Sequence, residues 1–301
     1  MDSPVLSLVE SAQQYPDRPA LRFGRRTLTY HDLDGASARI AAYLDACGVG
    51  PDDRVALMMP NVPEFAVLYY GILRIGAAVA PIDPLSGTSY VARCLSDLGC
   101  TGMFAWHTAA GRAVLGAHQA ESSCVLIEPR GFAAAVRTYD AIDGIVPPDA
   151  SQPAVITCEY GLGGRADAAS VDSVSHADLF AQARVADQTL SGLHPEDVVY
   201  AGYPLFQQFG QAYAMNCAIA AGACVLLLPR FDTRAALDAL IRHRATVVAG
   251  TPRVYATLMR NAPTGVGERT ALRAGVFDGA ELPERAQRAF ERTFNCQVFS
   301  A

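Results

Sequence analysis

The sequence predicts an α/β fold of mostly parallel sheets with helices on both faces. Two observations support this class. Short apolar runs rich in β-branched residues alternate with stretches in which apolar residues recur at helical spacing. In addition, a chain of 301 residues that is 51% hydrophobic can bury a large core. We therefore expect repeated βα units, in which each apolar run is a buried strand.

The individual elements follow from the same patterns. Strands are predicted at 54–59, 77–82, 102–105, 124–127, 154–158, 198–202, 223–228, 246–250, 274–277 and 297–299. Helices are predicted at 31–47, 64–75, 89–98, 176–186, 211–221, 233–243, 253–261 and 283–294. Asp232 or Thr233 is a suitable helix cap, and Pro283 suits a first helical position. The segment "RFGRRTLTY" predicts a hairpin that turns at residues 24–26.

One segment interrupts the βα pattern. Residues 129–153 carry little periodicity and include "IVPPDASQP", whose prolines and small polar residues are typical of a linker. We therefore predict two α/β subdomains, 1–153 and 154–301.

Charge and residue usage exclude several classes of function. A net charge of −6 gives no basic field, so nucleic acid is not an expected partner. All 24 basic residues are arginine, and without lysine the chain can form no Schiff base. The two longest apolar stretches are interrupted by charged residues or by Gly222, which predicts buried core and no transmembrane segment.

Cysteine and histidine patterns give no metal site. The eight cysteines form no CxxC pair, and the six histidines lack the spacing of metal ligands. Buried, reduced thiols and the absence of a signal-peptide pattern predict a cytoplasmic protein.

The stretch "ITCEYGLGGRADAAS", residues 156–170, has the form of a phosphate-binding loop without its usual chemistry. A glycine-rich bend after a strand commonly holds phosphate through backbone N–H groups. Here the bend contains no lysine, and its hydroxyls before the last residue are those of Thr157 and Tyr160. We interpret it as the remains of a phosphate loop. The letters "GLGGRA" also fit a dinucleotide-binding fingerprint. However, the acids about 20 residues later, Asp178 and Asp187, fall inside or directly after the predicted helix 176–186 rather than at the end of a strand.

Three segments together resemble the adenylate-forming, or AMP-binding, superfamily of acyl-CoA synthetases, in its N-terminal domain only. They are the region from "LTYHDLDGASARIAAYL" to "AAVAPIDP", the region from "DVVYAGYPLFQQFG" to "ATVVAGTPRVYATLMR", and "LRAGVFDGAELPERAQRAFERTF". The resemblance implies a core that binds ATP, Mg²⁺ and a carboxylic acid, and a small C-terminal domain that closes over it. Family members join the acid to AMP and then pass the acyl group to a thiol, usually that of coenzyme A.

The resemblance assigns candidate cofactor-binding residues in two segments. Gly161, Gly163 and Gly164 are candidate backbone donors in the loop. The family's loop hydroxyls and lysine are replaced here by Glu159, Tyr160, Leu162, Gly163 and Asp167. In "FDGAELP", which resembles the segment beside the adenine, the candidates are Gly279, Ala280 and Glu281.

The candidate substrate-binding residues follow predicted strands. Gln207 stands where the family often has a histidine, with Phe209 and Gly210 close behind, and Gly250 and Thr251 follow a later strand. Sites in parallel sheets gather at the carboxyl ends of strands. We therefore expect residues 203–210, 250–252 and 278–281 to lie together. No catalytic residue is predicted.

These departures predict a degenerate or partial acyl-CoA synthetase-like protein. ATP and Mg²⁺ are the cofactors that the resemblance implies, but the altered loop predicts impaired binding. The family's Y-G-x-T-E motif does not occur in the chain, so we expect the C-terminal domain to be absent and coenzyme A not to bind. Two alternatives stay open. One is the N-terminal part of an active ligase completed by a partner polypeptide, and the other is a non-catalytic scaffold or a protein that binds a fatty or aromatic acid.

Overall fold

The computed structural model describes residues 3–142, 144–145, 150–160, 169–278 and 282–301, which form two compact units. The first unit contains Asp32–Pro60 and Glu64–Phe180 together with the chain up to Leu6. The second contains Ser7–His31, Asn61–Pro63 and Ala181–Ala301. Each unit is built around one sheet.

The strands and helices are numbered in chain order. The strands are β1 (Pro19–Phe23), β2 (Arg26–Thr29), β3 (Arg54–Met58), β4 (Ala78–Ile82), β5 (Gly102–Trp106), β6 (Ser123–Ile127), β7 (Pro153–Tyr160), β8 (Ala169–Ser175), β9 (Val198–Gly202), β10 (Cys224–Leu227), β11 (Val247–Gly250), β12 (Ala274–Phe277) and β13 (Gln297–Ser300). The helices are α1 (Pro4–Gln14), α2 (Tyr30–Ala46), α3 (Pro63–Arg74), α4 (Thr88–Leu98), α5 (Ala110–Gln119), α6 (Pro129–Val136), α7 (His176–Thr189), α8 (Cys217–Ala220), α9 (Thr233–Arg242), α10 (Pro252–Arg260), α11 (Val266–Arg269) and α12 (Glu284–Phe294). A π-helical segment, Gly210–Asn216, runs directly into α8.

The first unit holds a six-stranded sheet in the order β6-β5-β3-β4-β7-β8. All its neighbouring strands are parallel except β7 and β8, which pair antiparallel. Apolar side chains from β3, β4, β5 and β7 pack with those of α4 and α5 in one buried cluster. This packing explains why these strands read as nearly continuous apolar runs in the sequence.

The second unit holds a seven-stranded sheet in the order β13-β12-β11-β9-β10-β1-β2. Every pair is parallel except β1 and β2, which form the predicted hairpin. Its turn needs Gly24, whose φ of 58° lies in the left-handed region that favours glycine. The predicted class is thus confirmed: two mostly parallel sheets with helices on both faces.

Each predicted strand and helix is found within a few residues of its expected bounds. Five further elements of the structure were not predicted from the sequence. These are α1, α5, α6, α11 and β8. The units also divide the chain differently from the subdomains expected on either side of residue 153. β7 and β8 pair next to β4, so the chain remains in the first unit through Phe180. In the part of the chain that the structure describes, no helix is long and apolar enough to cross a membrane.

A buried histidine in the first unit links stability to pH. His176, the first residue of α7, is 0% exposed, and its Nδ1 lies 3.4 Å from Ser3 Oγ. Its Nε2 has no hydrogen-bond partner among the described residues. Burial lowers the pKa of His176 to about 4, so the folded protein holds the ring neutral. An unfolded chain binds the proton with a pKa of about 6.5, and the native state should therefore lose stability as pH falls from about 6.5 to 4.

We expect this loss to be on the order of 2 kcal/mol. Urea unfolding at pH 7 and pH 4.5 measures it, with His176→Gln as the comparison, because glutamine cannot titrate. The variant should lose clearly less stability than the unaltered protein over this interval. Equal losses in the two proteins would show that His176 contributes nothing to the pH dependence.

Candidate functional site

Three segments meet at the carboxyl edge of the seven-stranded sheet. Strands β9, β11 and β12 are parallel, and β11 lies between the other two. Gly202 and Gly250 are direct Cα partners at the ends of β9 and β11. Tyr203, Thr251 and Asp278 are therefore the first residues beyond three adjacent strands, at the same edge.

A hydrogen bond joins the two outer segments. The Tyr203 hydroxyl donates to Asp278 Oδ2 over 2.9 Å. Strands in a sheet are about 4.8 Å apart, so this contact spans roughly two strand spacings across the end of β11. Burial, assisted by the hydrogen bond to Asp278, raises the pKa of Tyr203 to about 12, so the phenol stays protonated and remains the donor. The structure thus brings together the described parts of the three segments that the sequence placed at one edge.

Aromatic rings line the same edge. The Tyr203 and Phe209 ring centroids are 4.7 Å apart with the planes inclined at 51°. Phe209 stacks on Tyr213, with centroids 4.6 Å apart and planes only 14° from parallel. Phe209 and Tyr213 are both only partly buried. We call Tyr203, Phe209, Tyr213 and Asp278 the aromatic–carboxylate cluster.

Asn61 fixes the segment that carries Tyr203, and sequence reasoning missed this role. Its Nδ2 donates to the Ala201 carbonyl (3.1 Å) and the Tyr203 carbonyl (2.8 Å), and its Oδ1 accepts from the Leu205 N–H (2.8 Å). Asn61 is only 8% exposed. Buried amide hydrogen bonds of this kind hold a loop in one conformation. The available sequence signal is a polar residue inside an apolar stretch.

Two of the predicted substrate-binding residues lie where the helical segment after Tyr203 starts: Gln207 is in the bend before it, and Gly210 is the first residue of the π-helical segment. Gln207 has an exposed side chain, and its backbone N–H donates to the Pro204 carbonyl (3.2 Å). Gly210 is buried, and a Cβ at this position would lie 2.1 Å from the same carbonyl oxygen. Gly210 is required because the turn and the helix approach each other closely. The sequence predicted an ordinary helix at 211–221, whereas its first part is π-helical, a geometry that often occurs at functional sites.

A buried amide lies in the same π-helical segment. Gln211 is 0% exposed, and neither its amide oxygen nor its amide nitrogen has a hydrogen-bond partner among the described residues. Such groups are costly to bury without partners. Sequence reasoning did not single out Gln211, because its position within a helical pattern gave no signal.

The two predicted residues after β11 have clear structural roles. The Thr251 hydroxyl caps α10 by accepting from the Val254 N–H (3.2 Å). The O–H proton is still free to donate to a ligand, since acceptance uses a lone pair. A Cβ on Gly250 would contact Val254 Cγ1 at 3.1 Å, so glycine allows α10 to pack closely on the strand end. Whether Gly250 and Thr251 contact a substrate stays a prediction.

The opposite end of the same strands is fixed by a charged network. Arg273 donates to both oxygens of Asp197, from Nε over 3.0 Å and from Nη2 over 2.7 Å. The Thr246 hydroxyl donates to Asp197 Oδ1 over 2.6 Å. Burial alone would raise the pKa of Asp197, but the hydrogen bonds from Arg273 and Thr246 hold it below its usual value. These residues precede β12, β9 and β11, so the network fixes the relative positions of the three strands.

The first unit shows the residues that enter the predicted phosphate loop. The Tyr160 hydroxyl hydrogen-bonds to Asp97 Oδ2 over 2.9 Å, and the Arg93 guanidinium lies 4.1 Å from the centre of the Tyr160 ring. The Tyr90 hydroxyl donates to the Cys158 carbonyl over 2.7 Å. Tyr160 is therefore held by α4, and its hydroxyl is engaged by a carboxylate.

Several predicted residues lie outside the described part of the chain. These are the candidate cofactor-binding residues Gly161, Gly163, Gly164, Gly279, Ala280 and Glu281. Within the described residues, no group of three or more His, Cys, Asp or Glu side chains could hold a metal ion. All eight cysteines are free, and five of them are buried, whereas Cys47 is exposed.

The fold and this edge define a class of protein: a parallel α/β protein with a candidate ligand site at the carboxyl ends of its strands. Comparison with family models identifies the family. The model for "AMP-binding enzyme" matches residues 8–159 and 172–301, so the chain belongs to the AMP-binding enzyme family of the adenylate-forming superfamily.

Relatives and solved structures agree with this membership. A long-chain-fatty-acid–CoA ligase of Bacillus subtilis (strain 168) is 22% identical over 95% of this chain and 56% of its own length. The structure of a benzoate CoA ligase from Burkholderia xenovorans LB400 matches all of this chain and 60% of that one, with a TM-score of 0.90 and 19% identity. The N-terminal domain of FACL13 from Mycobacterium tuberculosis matches all of this chain and 75% of that one, with a TM-score of 0.88 and 20% identity. The structural matches establish the fold, and the chain spans about half the length of the relatives.

Proposed function

We propose that this chain is the AMP-binding core of an acyl-CoA synthetase-like protein that retains a carboxylic-acid site and is impaired in ATP-dependent adenylation. The main support for the proposal is the hydrogen bond between the Tyr160 hydroxyl and Asp97. The resemblance places this residue at a hydroxyl of the phosphate loop, and its hydroxyl is engaged by Asp97. A hydroxyl that donates its proton to a carboxylate within the protein cannot donate the same proton to a phosphate.

The residues that would hold the triphosphate do not fit that group. In the sequence, Glu159 and Asp167 stand where the family has a hydroxyl and a lysine, and the chain contains no lysine at all. A carboxylate within about 4 to 6 Å of a triphosphate is repulsive by roughly 1 kcal/mol or more. We therefore derive no adenylation step through ATP or Mg²⁺ for this chain, and we do not expect coenzyme A to bind it.

The acid site is proposed at the carboxyl edge of the seven-stranded sheet. The rings of Phe209 and Tyr213 would contact the apolar part of an acid through their partly exposed faces. Gln207 and Thr251 are placed to donate hydrogen bonds, from an exposed amide and from a capping hydroxyl. The fatty and aromatic acids in the names of the relatives make this the ligand class to test first.

Restoring the loop tests the impairment. A variant that combines Glu159→Thr, Tyr160→Ser and Asp167→Lys removes two negative charges and supplies the missing cation. We expect it to bind Mg-ATP at least about 30-fold more tightly than the unaltered protein, equivalent to roughly 2 kcal/mol. Calorimetric titration of both proteins measures this ratio, and an exposed Asp238→Asn variant shows how far the loss of one negative charge elsewhere changes the affinity. Equal affinities would refute the claim that the loop limits nucleotide binding.

A second candidate is acid binding without transfer chemistry, and the ordered aromatic–carboxylate cluster favours it. Its test is titration with benzoate and with a medium-chain fatty acid in the absence of nucleotide.

The involvement of a second polypeptide that supplies a C-terminal domain stays a prediction. Affinity purification from the source cells, followed by mass spectrometry, would identify such a partner. Eight free thiols also support our expectation of a reducing, cytoplasmic location.

A further inference from the structure

The aromatic–carboxylate cluster combines two features that together recognise organic cations. Asp278 is exposed and accepts one hydrogen bond from Tyr203 at Oδ2. Among the ion pairs of the described residues, none includes Asp278. Its negative charge therefore has no protein counter-ion in that part of the chain.

The aromatic rings lie beside this uncompensated charge. Tyr203 contacts both Asp278 and the Phe209 ring, and Phe209 is stacked on Tyr213. The faces of aromatic rings attract cations through their quadrupoles, most effectively where water is partly excluded.

We propose that this cluster binds a positively charged amino group on the acid substrate, so that the preferred ligand is a carboxylic acid carrying an ammonium group. The inference rests on the acid-binding function proposed above, because it names the substrate class of the same edge. Asp278 supplies the opposite charge, Tyr203 orients the carboxylate, and Phe209 and Tyr213 supply ring faces. A neutral acid of the same size would gain none of the charge-dependent contacts.

The chemistry of Tyr203 agrees with this assignment. Its phenol donates to Asp278 Oδ2, which leaves Oδ1 as an acceptor for an ammonium N–H. Because its pKa is raised to about 12, the phenol does not ionise at neutral pH and cannot add a second negative charge. Within the described residues of the cluster there is therefore one negative charge, which matches one ammonium group.

A matched pair of probes tests the inference in the unaltered protein. The two probes share a carboxylate and differ in one substituent. In 4-(aminomethyl)benzoate, here called the cationic probe, the substituent is a cationic ammonium group. In 4-(hydroxymethyl)benzoate, here called the neutral probe, it is a neutral hydroxyl of the same size that also donates a hydrogen bond. We expect the cationic acid to bind at least about tenfold more tightly in calorimetric titration. Asp278→Asn, which keeps an acceptor for Tyr203, should reduce this preference to about twofold or less.

Two further variants separate local recognition from general charge effects. Asp238→Asn removes an equal charge from an exposed position on α9 and should leave the preference unchanged. Phe209→Leu removes a ring face and should weaken the cationic probe more than the neutral one. Thermal unfolding of each variant verifies that it is folded.

The outcomes separate this inference from the proposed function. Equal binding of both probes, unchanged by Asp278→Asn, would overturn the ammonium site and leave the acid site standing. A preference that survives both Asp278→Asn and Phe209→Leu would place the cation elsewhere and would also overturn it. If neither acid binds, both proposals are overturned.

Discussion

Arg273→Ala is expected to destabilise the protein by about 3 kcal/mol, because it removes the counter-ion of a buried carboxylate. Asp197 is only 5% exposed and receives hydrogen bonds from Arg273 Nε and Nη2. The same guanidinium also donates to the carbonyls of Leu190 (3.0 Å) and Gly192 (2.6 Å). Its loss would leave Asp197 with a buried charge and would release the loop that precedes β9.

Urea unfolding at pH 7 measures this effect against a matched control. Arg288 forms an ion pair with Glu284 in which both side chains are mostly exposed, 67% and 74%. Exposed pairs contribute about 0 to 1 kcal/mol, so Arg288→Ala should cost little. Arg273→Lys should fall between the two alanine variants, since lysine keeps the charge but cannot donate to four oxygens from one plane. If Arg273→Ala and Arg288→Ala cost the same, the network is not a stability determinant.

Gly210→Ala is expected to cost about 2 to 4 kcal/mol and to abolish acid binding. The added Cβ would lie 2.1 Å from the Pro204 carbonyl oxygen and 2.8 Å from its carbonyl carbon. These are backbone atoms, and the hydrogen bonds of Asn61 hold this segment in place. The helix start must therefore move, and Phe209 moves with it.

The control for this substitution is Gly131→Ala in α6, where a Cβ would meet no atom within 4 Å. Alanine is favoured over glycine within helices, so this variant should be neutral or slightly stabilising. Thermal unfolding and titration with benzoate measure both effects. Retention of normal stability and benzoate affinity by Gly210→Ala would contradict the close approach that the structure shows.

The strands could be predicted because a buried parallel strand appears in the sequence as a short, nearly continuous run of apolar residues. Residues 55–59 and 247–249 are continuous apolar runs since both faces of their sheets are covered. β8 was missed for the opposite reason: "ASVDSVS" alternates small and polar residues at a sheet edge, and Val171 is 51% exposed. α5 was missed because its small residues suit close packing rather than a clear apolar stripe. A Cβ on its Gly116 would lie 2.7 Å from Val91 of α4.

The candidate site could be predicted only in outline. Parallel topology alone places the residues after β9, β11 and β12 at one edge, which the sequence captured. The clamp by Asn61, the stacking of Phe209 on Tyr213 and the pairing of Tyr203 with Asp278 join residues up to 144 positions apart or depend on ring orientation. For example, Asn61 and Tyr203 are separated by 142 positions. No local pattern encodes such contacts, so only the folded structure reveals them.

Calorimetric titration of the unaltered protein with Mg-ATP is the most direct test of impaired nucleotide binding. We expect no detectable binding at micromolar concentrations, because the loop sequence lacks its cation and Tyr160 is engaged by Asp97. Titration with benzoate in the same buffer should give binding, which verifies that the protein is folded and that its acid site is intact. Micromolar affinity for Mg-ATP would contradict the account, since other groups would then have replaced the phosphate loop.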